Sequence, residues 1–326
     1  MPGTVLVTGA AGFVGGHLLD MLTSELPGNP ENPGNNGNPA AEIVAWHRPG
    51  HTPTARGPRV TWVPVDLLDR PSVGKAIAGS RPDVVYHCGG AAHVGHAWNR
   101  TEATLDTNVR GTHHLLDALS HAGATARVLI PSSSLVYRPA NEALNEGHEL
   151  VPANPYGLSK LAQELIAVHS RSAHLSVMVA RAFTHIGPRQ NPDFAASSFA
   201  RQIADIEAGR QPPEIQVGNL EARRDLTDVR DTVRAYLAIV ERGVPGRPYN
   251  VCSGQATSID DLLQKLLKRA RVPIRVTVDP TRLRPSDAPL VLGDFTRMRD
   301  ELGWAPRIAL DHTLDDILEY WRARPA

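Results

Sequence analysis

Thr4-Val5-Leu6-Val7-Thr8-Gly9-Ala10-Ala11-Gly12-Phe13-Val14-Gly15 is the stretch that decides the fold. Its first five residues are apolar and rich in β-branched side chains, as in a strand buried on both faces of a parallel sheet. Glycines follow at once. Beyond them Phe13, Val14, His17, Leu18, Leu19, Met21 and Leu22 recur at roughly helical spacing. Strand, glycine turn and helix in that order are the setting a dinucleotide-binding loop requires. Gly9 permits the tight turn, Gly12 lets the backbone approach a pyrophosphate, and Gly15 lets helix pack on strand. The N–H groups of Ala11, Gly12, Phe13 and Val14 at the helix start would meet the phosphate charge.

The alternation continues. Glu42-Ile43-Val44-Ala45-Trp46 and residues 60–65, 83–87 and 127–131 read as strands separated by helical patterns. That pattern specifies an α/β fold, a Rossmann-type doubly wound parallel sheet with its ligand beyond the carboxyl ends of the strands. An acidic residue at the end of the second strand would bind a ribose 2′-hydroxyl and favour NAD. Here His47-Arg48 stands there, and an arginine holds a 2′-phosphate through charge-assisted hydrogen bonds. NADP(H) is therefore favoured, with NAD(H) still open. Asp66 and Leu67, after the third strand, are candidates for the adenine. In Cys88-Gly89-Gly90-Ala91-Ala92 the small residues, Gly89 and Gly90 above all, let the chain pass close to the cofactor.

Further along stands Asn154-Pro155-Tyr156-Gly157-Leu158-Ser159-Lys160, with Ser132-Ser133-Ser134 upstream. Asn154 suits a helix cap and Pro155 its first turn. Tyr156 and Lys160 then share one helical face. A phenol titrates near pH ~10, too high for easy proton exchange at neutral pH, and a nearby ammonium is expected to lower that value. Alone, a Tyr–Lys pair at this spacing reads as an ordinary helix surface. The serines and the glycine loop turn it into a candidate for proton transfer beside a nicotinamide.

These residues resemble the extended short-chain dehydrogenase/reductase family, in its nucleotide-sugar branch, over nearly the whole chain. The resemblance implies a catalytic tetrad of Asn108, Ser133, Tyr156 and Lys160. Ser133 is chosen because the family's serine or threonine stands four before the tyrosine of a Val-Tyr pair, here Val136-Tyr137. In the tetrad Ser133 would bind the reacting oxygen, Lys160 the nicotinamide ribose, and Asn108 the lysine through a water. Arg138 departs from the family's glycine after that pair. Phe183 is carried over as a cofactor contact, and His93, Thr184, Arg224, Arg284 and Asp287 as substrate contacts.

After residues 181–190 proline, arginine and polar residues rise and short strands alternate with helices, as in a smaller C-terminal α/β substrate lobe. Residues 1–180 are thus expected to bind the dinucleotide and 181–326 the nucleotide sugar, with some chain crossing. Residues 221–225 and 282–287 look like loops from which Arg224 and Arg284 would clamp a pyrophosphate. His185-Ile186-Gly187-Pro188, the run 224–231 and Tyr249-Asn250-Val251-Cys252-Ser253-Gly254 look like the GDP-sugar members. Ala182 and Thr184 depart from the Pro and Asn often found there. The implied reaction is reduction of the C4 ketone of a GDP-4-keto-6-deoxy-hexose, GDP-4-dehydro-6-deoxy-D-mannose giving GDP-D-rhamnose. Dehydratases of this branch need an acid just after the catalytic serine. Ser134 and Leu135 stand there, and leucine moves no proton. Dehydration is disfavoured, leaving reduction or 4-epimerisation. A non-catalytic NADP sensor would need no Tyr–Lys pair.

Composition excludes other classes. The 326 residues suit one large α/β unit with a second lobe. With 34 basic and 34 acidic residues the formal charge is zero, which argues against a nucleic-acid surface. Cys88 and Cys252 are too few for a disulfide framework. No signal peptide, membrane span or metal-ligand spacing is read, so a cytoplasmic protein is expected. Residues 27–39, rich in Pro, Gly and Asn, have nothing to bury and are expected to be an extended loop. In the family two helices from each subunit form a four-helix bundle, which implies a homodimer. The candidates are residues 101–121, through Leu105, Val109, Leu115, Leu116 and Leu119, and 155–171, through Leu161, Leu165 and Val168.

Overall fold

The structure is a computed structural model, and it describes residues 3–23, 42–50, 53, 59–280 and 288–324. The low-complexity run 27–39 and the candidates Arg284 and Asp287 lie outside the described residues. The chain divides into two compact units. Residues 1–132, 159–180 and 239–247 form the first, and 133–158, 181–238 and 248–326 the second. One passage between them falls at 180/181; the segments 133–158 and 239–247 are the crossings.

The main sheet begins with β1 (Thr4–Thr8), β2 (Glu42–His47), β3 (Val60–Pro64), β4 (Val84–His87) and β5 (Ala126–Ser133). The short β6 (Ala143–Leu144) lies elsewhere, and β7 (Leu175–Ala182) returns to it. After β8 (Thr184–Ile186), β9 (Glu214–Val217) and β10 (Arg223–Asp228), β11 (Pro248–Val251) completes it. The seven strands run in the order β3-β2-β1-β4-β5-β7-β11. The registers described are all parallel, with Val5 opposite both Ile43 and Val84, Ile43 opposite Val60 and Val84 opposite Arg127. The order reverses between β1 and β4, so a crevice opens beyond their carboxyl ends. Buried Leu6, Val44, Val85 and Val128 form the core with Val73 and Ile77 of helix α2 (Arg70–Ser80), after α1 (Phe13–Thr23).

Residues 101–121 do not form one regular helix. After α3 (Val94–Asn99), α4 (Thr101–Leu105) runs into a π-helical turn at Asp106–Arg110 and then α5 (Gly111–His121). A π turn inserts an extra residue and is common where a helix serves a site; here it carries the buried Asn108. Leu115, Leu116 and Leu119 of α5 lie in the core, not on a free face. The reason is hydrophobic: α5 covers the sheet. Helix α6 (Pro155–His169) starts where expected, with Asn154 Oδ1 accepting the Gly157 N–H at 2.8 Å.

In the second unit β10 lies between β12 (Ala256–Ser258), antiparallel, and β14 (Leu290–Gly293), parallel, while β13 (Arg275–Val278) pairs with β9. Its core gathers Phe199, Ile203, Leu226, Leu263, Leu314 and Ile317. Arg223, Arg224 and Asp225 are therefore strand and not loop. Backbone pairing on both sides outweighs the polar composition that suggested a loop. Cys88 and Cys252 are free thiols. Among the described residues no helix is long and apolar enough to cross a membrane.

Candidate active site

The glycine loop follows β1 at the reversal point of the sheet. Gly9 adopts φ +63°, and a Cβ there would come within 2.6 Å of the Gly89 nitrogen after β4. Both the backbone angle and the space exclude a side chain. A Cβ on Gly15 would strike the Gly9 carbonyl. Gly89 is confined by Leu67 Cδ1 and Thr8 Oγ1, at 2.9 and 3.0 Å from a built Cβ, and Gly90 by Asn108 Oδ1 at 2.8 Å. Ala11 and Gly12 are exposed, Phe13 and Val14 half-buried at the start of α1. This cradle, closed to side chains below and lined by the first N–H groups of a helix, fits a dinucleotide pyrophosphate.

Neighbouring candidates sort themselves in the same unit. Arg48 follows β2 and is exposed. Asp66 accepts the Leu68 N–H at 2.9 Å, while the Leu67 carbonyl meets His114 Nδ1 at 2.9 Å. His93 caps α3, accepting the His96 N–H at 3.0 Å, and its ring stacks on His96. Asn108 is fully buried. Its Oδ1 accepts the Ala91 N–H at 2.8 Å, and its Nδ2 donates to the Ala91 carbonyl at 3.1 Å and to Ser159 Oγ at 2.9 Å. Asn108 thus grips the residue before Lys160 directly. Lys160 Nζ donates to Gln163 Oε1 at 2.5 Å. Burial pulls the Lys160 ammonium down to about 8, against the pull of Cys88 and Glu164.

In the second unit Ser133 Oγ accepts the Leu135 N–H at 3.2 Å. A Cβ at Gly157 would strike the Leu135 carbonyl, so only glycine lets the first turn of α6 seat on the turn after Ser133. Burial pushes the Tyr156 phenol up to about 12, and a side-chain hydrogen bond with Ser133 works the other way. The expected lowering by an ammonium is thus reversed, because burial disfavours phenolate more strongly. Phe183 is buried, its N–H on the Val251 carbonyl at 2.9 Å. Thr184 stands on β8 opposite Leu226. Arg224 Nη1 donates to the carbonyls of Arg223 and Ala288 at 2.9 and 2.8 Å. Arg138 pairs with Glu149 at 2.7 Å.

Sequence reasoning missed Gln163, Gly157 and Asp225. The first stands one helical turn after Lys160, a spacing that signals a partner. The second sits inside the Tyr–Lys motif, where a glycine costs helix stability and so asks for a packing reason. Asp225, buried, accepts the N–H groups of Ser253, Gly254 and Gly293 at 2.6, 2.9 and 3.2 Å; no local pattern announced it.

Comparison with known proteins fits this geometry. A family model described as GDP-mannose 4,6 dehydratase matches residues 6–317. A GDP-6-deoxy-D-mannose reductase of Pseudomonas aeruginosa is 36% identical, over 98% of this chain and 97% of that protein. UDP-glucose 4-epimerase 2 of Oryza sativa subsp. japonica is 27% identical, over 96% of this chain and 80% of that protein. The solved structure of RMD from Pseudomonas aeruginosa complexed with NADPH superposes with a TM-score of 0.82 at 33% identity, covering 99% of this chain and 100% of that one. With a dinucleotide cradle at the reversal of its sheet and a family match along almost its full length, the chain belongs to the GDP-mannose 4,6 dehydratase family of extended short-chain dehydrogenases/reductases, NAD(P)-dependent enzymes of nucleotide-sugar metabolism.

Proposed function

We propose that the protein reduces the C4 ketone of a GDP-4-keto-6-deoxy-hexose with NADPH, converting GDP-4-dehydro-6-deoxy-D-mannose to GDP-D-rhamnose. The observation that carries this reading is the neutral Tyr156 phenol beside Ser133. Buried and hydrogen-bonded with Ser133, the phenol is protonated at neutral pH, as a phenol ordinarily is, and so holds the proton that ketone reduction consumes. The similarity to the bacterial GDP-6-deoxy-D-mannose reductase supports the same direction of chemistry. Leu135, in place of an acid, supports reduction over dehydration.

The bound dinucleotide supplies the hydride. Ser133 orients the ketone oxygen by hydrogen bonding, and Tyr156 passes its proton to that oxygen, leaving an alcohol. Lys160 holds the nicotinamide ribose and, by its charge, the phenolate left behind. Asn108 holds the backbone around Lys160 by its bond to Ser159. Gly9, Ala11, Gly12, Phe13 and Val14 receive the pyrophosphate, Asp66 and Leu67 the adenine, Arg48 the 2′-phosphate, and Gly89, Gly90 and Phe183 line the remainder. Residues 1–180 hold the cofactor in this reading and 181–326 the nucleotide sugar, through Thr184, Arg224, Arg284 and Asp287, with His93 at the sugar. The deciding experiment assays GDP- and UDP-linked 4-ketosugars with NADPH and NADH. Oxidation of NADPH in preference to NADH by the GDP substrate is the expected result. A tightly retained cofactor with UDP-sugar interconversion would replace reductase by epimerase.

The reading includes a homodimer through α4, α5 and α6. Leu105, Val109, Ala162 and Ile166, together with Asp106, Arg110 and His113, line a groove of about 390 Å³. Leu158 and Leu165 of α6 are half exposed. Such apolar surface suits a subunit contact, and a monomer in light scattering at micromolar concentration would end this part. A cytoplasmic location, in keeping with two free thiols, belongs to the same reading and is checked by cell fractionation.

A further inference from the structure

A chain of buried side chains in the first unit ends on the Lys160 ammonium. It starts at Thr8, the last residue of β1, whose Oγ1 accepts the Gly89 N–H at 3.0 Å and meets His87 Nδ1 at 2.8 Å. His87 Nε2 meets Thr112 Oγ1 at 2.9 Å. Thr112 Oγ1 donates to the Asn108 carbonyl at 2.7 Å and accepts from Gln163 Nε2 at 2.7 Å. Gln163 Oε1 accepts from Lys160 Nζ. None of Thr8, His87, Thr112 and Gln163 is more than 2% exposed, so water offers them no alternative partner.

Counting donors assigns every orientation. The Thr112 hydroxyl has one proton, and it points at the Asn108 carbonyl. Its two lone pairs then accept from Gln163 and from His87. His87 therefore carries its proton on Nε2, and its Nδ1 accepts from the Thr8 hydroxyl. Burial keeps the ring neutral, as this pattern needs, by pushing it down to about 3. Gln163 is left one arrangement. A flipped amide would set Oε1 against a hydroxyl with no proton to give, and its NH₂ against an ammonium.

We propose that Gln163 is a positioning residue for Lys160: the Thr8–His87–Thr112 chain holds its amide so that an acceptor always faces the ammonium, fixing the lysine in place and favouring its charged form. This rests on the role assigned to Lys160 in the proposed function. The titratable groups that act on Lys160 are Cys88, at the end of β4, and Glu164, on its own helix; both favour the charge, against burial. His87, also at the end of β4, is itself held neutral. Gln163 adds a neutral acceptor, which orients the ammonium without cancelling the charge a ligand would use.

The test is a titration of the cofactor-free protein. The chain has only four lysines, Lys75, Lys160, Lys265 and Lys268, so ε-¹³C-lysine labelling gives separable NMR signals. In the unaltered protein Lys160 titrates near 8. Gln163→Leu keeps the bulk and removes the acceptor, and the titration is expected to fall by about one unit. Gln163→Glu puts a carboxylate in the same place, and the titration is expected to rise. NADPH binding, followed by fluorescence, should weaken roughly tenfold in Gln163→Leu and should not recover in Gln163→Glu, whose carboxylate cancels the lysine charge. A folded Gln163→Leu whose Lys160 titrates unchanged overturns the proposal. Should that variant not fold, Gln163→Glu with no upward shift overturns it instead. Full turnover in Lys160→Met would remove the role given to the lysine while leaving the NMR result intact, so the two failures are distinct.

Discussion

In the first unit Glu164 is buried near Lys160, but the hydrogen-bonded side chains that surround the ammonium are neutral: hydroxyls of Thr8 and Thr112, the imidazole of His87 and the amides of Asn108 and Gln163. The second unit builds its buried networks on carboxylates. Asp228 accepts from the Arg230 N–H and Nη2 at 2.7 Å each, and from Thr313 Oγ1 at 2.7 Å. Asp231 accepts the Arg307 and Ile308 N–H groups at 2.8 and 2.9 Å and pairs with Arg234. Asp225 ties down Ser253, Gly254 and Gly293, and burial raises its carboxyl above the usual range. The contrast separates two uses of buried polarity. A carboxylate surrounded by N–H groups and guanidinium is committed to holding loops. A neutral network can orient a cation and leave its charge for a ligand. Within the second unit Tyr156 and Ser133 are a neutral pair, and they are where the proposed chemistry lies.

Three substitutions bear on that contrast. The largest effect is expected where neutral groups do chemistry. Tyr156→Phe keeps the ring and should leave folding and cofactor binding intact while turnover falls by roughly 10²–10⁴-fold. Near-normal turnover on a 4-ketosugar with NADPH would place proton transfer elsewhere.

Next comes the ionic network. Asp228→Ala takes a shared acceptor from Arg230 and the Thr313 hydroxyl; Arg230, about a third exposed, keeps Asp316, and Thr313 keeps the Ala309 carbonyl, so the loss in urea denaturation should be about 2–3 kcal/mol. A loss below about 1 kcal/mol would mean these carboxylates are not what holds the second unit together.

The smallest effect is one of pH. The folded His87 value of about 3 lies below its ordinary 6.5. As pH falls through 6.5 the unfolded chain takes up the proton and the folded chain does not. The stability contributed by neutral His87 is therefore present above pH 6.5 and lost progressively toward pH 3. By pH 5 the loss is about 2 kcal/mol. His87→Asn is expected to flatten the decline between pH 7 and pH 5 by that amount, whatever its stability at pH 7. An unchanged slope would show that the imidazole does not titrate in this way.

Much of this was legible beforehand, and the reason is locality. Thr4–Thr8 reads as a strand because its β-branched run has no other use, and the glycines after it because their backbone positions exclude a Cβ. Asn154 and Pro155 announce the start of α6, and the four-residue spacing places Tyr156 and Lys160 on one helical face. Apart from the crowding of Gly9 by Gly89, each of these is settled within one turn or one strand. The π turn at Asn108 was not legible, since it depends on Ala91, 17 residues earlier. Nor was Arg224 as a strand residue, since Thr257 and Val291 supply its pairing. The core position of Leu115 and the raised value of Tyr156 were misread because a helical pattern does not say which neighbours will cover it. By itself the sequence determined the elements, the sheet type and the residue types of the site, because those follow from short-range sterics and periodicity. The tertiary structure alone decided which side chains lost water and which acceptor met which donor, because burial and hydrogen-bond direction exist only once distant segments are packed together.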